Sequence, residues 1–189
     1  LETKYQQWIA SKPVAKYTGY VYELFAPLGV STRQSASSLQ PYQVETINKQ
    51  FLQLVEVARN GMNEGENGYI GVLDTSGSMT SLVPGTKVSA YSVGKSLTLF
   101  MSYLLKGKFS GCYLEFSTTT IMKQWKGKTP VEQLCADNSS IIAGTNFLSV
   151  ADHFAKILKE GVPETEFPKG IICFSDGCFN STGNNKSNF

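Results

Sequence analysis

The sequence predicts an α/β domain with a doubly wound, mostly parallel sheet, helices on both faces and a short helical segment in front. Three observations predict it. Short apolar runs of strand length alternate with segments whose apolar residues recur every three or four positions. The runs at 69–73, 112–116 and 170–174 are largely apolar rather than alternating, as strands covered on both faces must be. The apolar share of the 189 residues, 41%, is enough for a core of ordinary size.

In chain order, residues 1–40 read as an N-terminal appendage and linker. They hold a Gln-rich start, the patch "KYTGYVYELF", whose Tyr17, Tyr20 and Tyr22 suit the packing of a small helical unit, and the Ser/Gln stretch "STRQSASSLQ". Residues 41–67 form a connecting helix. From Pro41 to Asn60 the residues Val44, Ile47, Phe51, Leu54, Val55 and Ala58 fall on one helical face. Pro41 fits a first turn, where its missing N–H is no loss, and Gly61 can close the end. Residues 68–189 are the α/β domain. Strands are expected at Tyr69–Leu73, Cys112–Phe116, near Thr120–Gln124 and at Gly170–Phe174, with helices over Val88–Leu105, from Val131, and over Phe147–Leu158.

Several function classes are disfavoured. Lys and Arg number 17 against 15 Asp and Glu, so the formal charge of +2 gives no support to a phosphate-gripping surface, and RNA is an open but unsupported partner. The longest apolar stretch, Leu97–Leu105, is interrupted by Thr98 and Ser102 and is too short to cross a bilayer. Cys112, Cys135, Cys173 and Cys178 lack paired close spacing, which favours a reduced, cytoplasmic setting, with Cys173 and Cys178 read as core thiols. "SVGKS" at Ser92–Ser96 lies inside a helical pattern and lacks the leading glycine of a phosphate-binding loop. His153 is the sole histidine, so a catalytic triad or a histidine metal site has nothing to build on. An aspartyl phosphotransferase would want a second aspartate two residues after Asp74, where Ser76 stands. No general base or activated nucleophile stands out, and the chain is expected not to be an enzyme.

What remains is a set of oxygen donors. In an open parallel sheet, ligands collect beyond the carboxyl ends of the strands. The first strand is followed by Asp74-Thr75-Ser76-Gly77-Ser78, the last by Ser175-Asp176-Gly177, and Gly144-Thr145-Asn146 precedes the helix near Phe147. Gly77 is expected to allow a tight turn that aims Ser76 and Ser78 at one spot while Asp74 anchors the loop. Carboxylates and hydroxyls without thiolate or imidazole suit Mg²⁺ far better than zinc or copper.

"DTSGS", a Gly-Thr before a helix and an apolar strand ending in "SDG" together resemble the metal-ion-dependent adhesion site of the von Willebrand factor A family. The resemblance covers 68–189. It implies five metal positions at Asp74, Ser76, Ser78, Thr145 and Asp176, with the hydroxyls as direct or near-direct ligands and the aspartates acting mostly through water. It also implies Mg²⁺, or another divalent cation such as Mn²⁺ or Ca²⁺, and a protein ligand that donates an acidic residue to the metal. Members of the family carry two more strands and helices after the last aspartate, so a sheet incomplete at its C-terminal edge is expected. A helix leading straight into the domain is similar to intracellular members such as the Ro/TROVE type. Two alternatives therefore stand beside a protein-interaction module: a component of a Ro/TROVE-like RNA-binding ribonucleoprotein, and a structural or assembly protein using the fold as scaffold.

Overall fold

The computed structural model describes residues 2–29 and 35–178 and holds one four-stranded sheet in the order β3-β2-β1-β4. The strands are β1 (Ile70–Asp74), β2 (Cys112–Phe116), β3 (Thr120–Gln124) and β4 (Ile171–Phe174). β1 runs parallel to β2 on one side and to β4 on the other, and all five of its residues are buried. That central place explains why its sequence is apolar without alternation. β3 runs antiparallel to β2, because the connection at 117–119 is too short for a crossover. The helices are α1 (Glu2–Ser11), α2 (Val21–Leu24), α3 (Pro41–Asn60), α4 (Ala90–Ser102), α5 (Pro130–Ala136) and α6 (Leu148–Lys159). No described helix is long and apolar enough to cross a membrane.

The period-two geometry of a strand divides the core between the two faces of the sheet. Leu73 and Tyr113 join a cluster with residues of α2, α3, α4 and α5, whereas Ile70, Val72, Leu114 and Phe116 join another with Val150 and Ile157 of α6. Helices therefore cover both faces. In the first cluster Phe51 of α3 is fully buried, with ring centroids 5.2 Å from Tyr103, 6.1 Å from Phe100 and 5.3 Å from Phe25. Truncating such a ring to alanine costs about 3–5 kcal/mol. The buried Asn48 of α3 accepts a hydrogen bond from the Val131 amide at 2.9 Å, satisfying one of the free donors in the first turn of α5.

The segment expected to be an appendage contributes to this core. Leu24, Phe25 and Leu28 are buried in the cluster that holds Phe51, so the α2 segment is cemented to the domain. Residues 30–34 of the Ser/Gln stretch, and 179–189 at the end of the expected domain, lie outside the described residues. α4 is shorter than its apolar pattern suggested. Leu82 and Ser89 form an antiparallel bridge and the Val83 amide donates to the Val88 carbonyl at 2.8 Å, so Val88 belongs to the loop. Ser89 then caps the helix, accepting from the Ser92 amide at 3.2 Å.

Two glycines let α4 lie directly on the sheet. A Cβ on Gly71 would stand 2.7 Å from Thr98 Cγ2 and 3.0 Å from its Cα, and one on Gly94 would stand 2.7 Å from Leu73 Cδ1 and 2.9 Å from Phe174 Cβ. At the opposite margin, β4 is the outer strand among the described residues. Its Ile171 and Ile172 stay 42% and 41% exposed.

Candidate functional site

Register puts the candidate site together. Leu73 pairs with Phe174 and Asp74 with Phe116, so the residues that follow β1, β2 and β4 emerge side by side at one end of the sheet. Asp74 lies there with no solvent exposure. One carboxylate oxygen, Oδ1, accepts from the Ser76 amide at 2.8 Å, and the other, Oδ2, accepts from the Ser175 hydroxyl at 2.7 Å. The Oγ atoms of Ser76 and Ser78 are 3.2 Å apart, so the two hydroxyls do meet at one point.

The expected role of Gly77 is corrected by the structure. Its φ is not positive, and it opens a 3-10 turn over Gly77–Thr80 with nothing within 4 Å of a Cβ. The convergence of Ser76 and Ser78 comes from that turn and from the carboxylate cap on the Ser76 amide, and glycine is not needed for it. The glycine that the site does require is Gly144. Its φ of 99° is a conformation that side-chain-bearing residues rarely adopt, and it directs the chain into Thr145.

Thr145 is buried, and the loop that carries it is tied to this end of the sheet by its neighbours' backbone. The Ile142 amide donates to the Thr75 carbonyl at 3.1 Å, and the Asn146 amide donates to the Ser117 carbonyl at 2.6 Å. The Thr145 loop is thus tied to the chain leaving β1 and to the end of β2. Asp176 stands at the same end, one residue past Ser175, but it is exposed. Its Oδ1 accepts from the Cys178 amide at 3.1 Å, and no hydrogen bond among the described residues joins its carboxylate to Asp74, Ser76, Ser78 or Thr145. The structure therefore joins Asp74, Ser76 and Ser78 directly, seats Thr145 by backbone ties and places Asp176 on the rim.

Sequence reasoning missed Ser175 as a partner. Its hydroxyl also accepts from the Gly177 amide at 3.1 Å, so it links the β4 loop to Asp74. Of the flanking thiols, Cys173 packs against the α6-side cluster while Cys178 is exposed, which corrects the reading of Cys178 as a core thiol. Burial, with the Asp74 charge adding to it, pushes the Cys173 thiol up to about 12, so it is not a thiolate nucleophile near neutrality. His153 sits part-buried on α6, and burial first, then Lys156, lowers its pKa.

Among the described residues no Lys, Arg or His forms an ion pair with Asp74. A carboxylate withdrawn from water without a cation is costly, even when hydrogen-bonded. No group of three or more His, Cys, Asp or Glu placed to hold a metal occurs among the described residues, and two carboxylates with three hydroxyls are a different kind of donor set. The chemistry of that set fits a hard divalent cation, with Ser76, Ser78 and Thr145 as oxygen donors and Asp74 as the charge behind them. The chain matches no protein-family model, no curated protein and no solved structure.

Proposed function

We propose that the chain is a protein-interaction module whose ligand is captured through a divalent cation, Mg²⁺ above all, held at Asp74, Ser76, Ser78, Thr145 and Asp176. The observation that carries this reading is the Asp74 carboxylate, fully buried and given two hydrogen bonds but no cationic side chain among the described residues, in the same loop as the Ser76 and Ser78 hydroxyls that meet at 3.2 Å. Neutral hydroxyls leave a bound cation short of negative charge, so an acidic side chain from a partner protein is the natural last ligand. A von Willebrand factor A-like domain is the reading that best accommodates this site, together with the sheet order and helices on both faces. Nothing in the donor set supplies a general base or nucleophile, which favours binding over catalysis. Four free thiols favour a reduced, cytoplasmic setting.

Calorimetric titration of wild type and Asp74→Ala with Mg²⁺ tests the proposal. Saturable binding by the wild type that the variant loses is the expected result. Equal heats from the two proteins would count against the site.

A further inference from the structure

The chain leading into the Thr145 loop carries a largely buried charge network that the proposed cation site does not use. Lys95 of α4 is completely buried, with its Nζ 3.3 Å from Asp137 Oδ2 and 3.3 Å from the Asp137 carbonyl oxygen. Lys123 of β3 reaches Asp137 Oδ1 at 2.8 Å and Glu115 Oε1 at 3.1 Å. The Tyr113 hydroxyl lies 2.7 Å from Asp137 Oδ1 and 2.9 Å from Glu115 Oε1. The Ser139 hydroxyl donates to Asp137 Oδ2 at 2.8 Å and also meets Glu115 Oε1. Two cations and two carboxylates balance, and three separate elements of the sheet-and-helix frame grip one short stretch, 137–139.

That stretch has no regular structure of its own. It ends α5 and leads through Ile142 and Gly144 to Thr145, so the polar network is the first of three moorings. The second and third are the Ile142 amide on the Thr75 carbonyl and the Asn146 amide on the Ser117 carbonyl. An apolar contact would hold the loop just as near but would not fix its register, because dispersion contacts are not directional, whereas a bonded charge pair is. Burial lowers the Lys95 pKa, against the opposing pull of Asp137.

We propose that Lys95, acting through Asp137 and Ser139, is a positioning residue that sets the 137–146 loop in register over the sheet and so places the Thr145 hydroxyl at the cation site. The clamp stands on its own geometry, and only the role of Thr145 rests on the cation reading. The network lies on the α4 and α5 side of the sheet, since Tyr113 belongs to the cluster with those helices.

The test uses the full chain as wild type, Lys95→Met and the milder Ser139→Ala, with residue-resolved amide hydrogen exchange and Mg²⁺ titration. In Lys95→Met, Asp137 keeps Lys123 and Tyr113, so no carboxylate is stranded. Both variants are expected to exchange faster at Ile142 and Asn146 while Val72 and Leu114 keep their protection, and to lose roughly tenfold or more in Mg²⁺ affinity, the usual effect of removing a group that orients a ligand. Unchanged exchange at Ile142 and Asn146, or a rise spread evenly over the sheet, overturns the clamp. A loosened loop with unchanged Mg²⁺ affinity overturns the positioning role. If the loop loosens in the variants but wild type takes up no Mg²⁺, the clamp is upheld and the cation reading is what fails.

Discussion

Replacing Asp74 by asparagine separates the two states of the site. Without metal, the wild-type carboxylate is held by hydrogen bonds from the Ser76 amide and the Ser175 hydroxyl. Bonds to a charged acceptor contribute about 1.5–3 kcal/mol each. Burying that charge unpaired costs several kcal/mol. The two effects nearly offset, and asparagine keeps the shape, one acceptor and no charge. Asp74→Asn is therefore expected to melt within a few degrees of wild type in a chelator. With Mg²⁺ at about a hundred times its dissociation constant, the wild type gains about 2.7 kcal/mol. For a chain of this size that raises the melting temperature by roughly 5–11 °C. The variant, lacking the charge behind the hydroxyls, gains little. The assay is thermal unfolding followed by circular dichroism, four melts in all. A wild type that Mg²⁺ leaves unmoved, or a variant that gains as much as wild type, refutes the reasoning.

Other substitutions follow from particular contacts. Gly71→Ala places a methyl 2.7 Å from Thr98 Cγ2 and 3.0 Å from its Cα, where the helix backbone cannot yield, so a loss of about 2–3 kcal/mol in denaturant unfolding is expected. Gly77→Ala meets open space and should change stability by less than about 0.5 kcal/mol in the same measurement. Asp137 is pulled upward by burial, but Lys95, with bonds from Lys123, Tyr113 and Ser139, outweighs that and holds its carboxyl below the ordinary aspartate value. A depressed carboxyl stabilises the fold above its unfolded value and ceases to do so as pH falls through its folded one. Acid titration should therefore show a loss of stability below about pH 3.8 that is smaller in Asp137→Asn. Iodoacetamide at pH 8 should label exposed Cys178 well before Cys173, whose thiol is held near 12, with peptide mass spectrometry reading the order.

The parts of the fold visible in the sequence are those that periodicity controls. The face of α3 bearing Ile47, Phe51 and Val55 and the unbroken apolar run of β1 were readable because burial dictates their residue types. The ends of α4 were not, because Val88 continues the apolar pattern while its carbonyl is engaged by Val83 in the loop. The packing of Phe25 and Leu28 against α3 was hidden for another reason. Nothing local distinguishes apolar residues of a short helical turn that dock on a neighbour from those that pack only with each other. At the candidate site, Asp74, Ser76 and Ser78 were legible as a local run of oxygens. Ser175, which bonds Asp74 from 101 positions away, and Asp137, which binds Lys95 from 42, depend on register that single-sequence reading does not carry.

The paired glycines on β1 and α4 have a mechanical consequence for the loops above them. With Thr98 seated on Gly71, and Leu73 and Phe174 seated against Gly94, the helix and strand interlock at two points like gear teeth. Of the loops at 75–89 and 137–147 that this pair carries, the second is tied back to the frame at Asp137 and Ser139, so its sequence is not free to vary there.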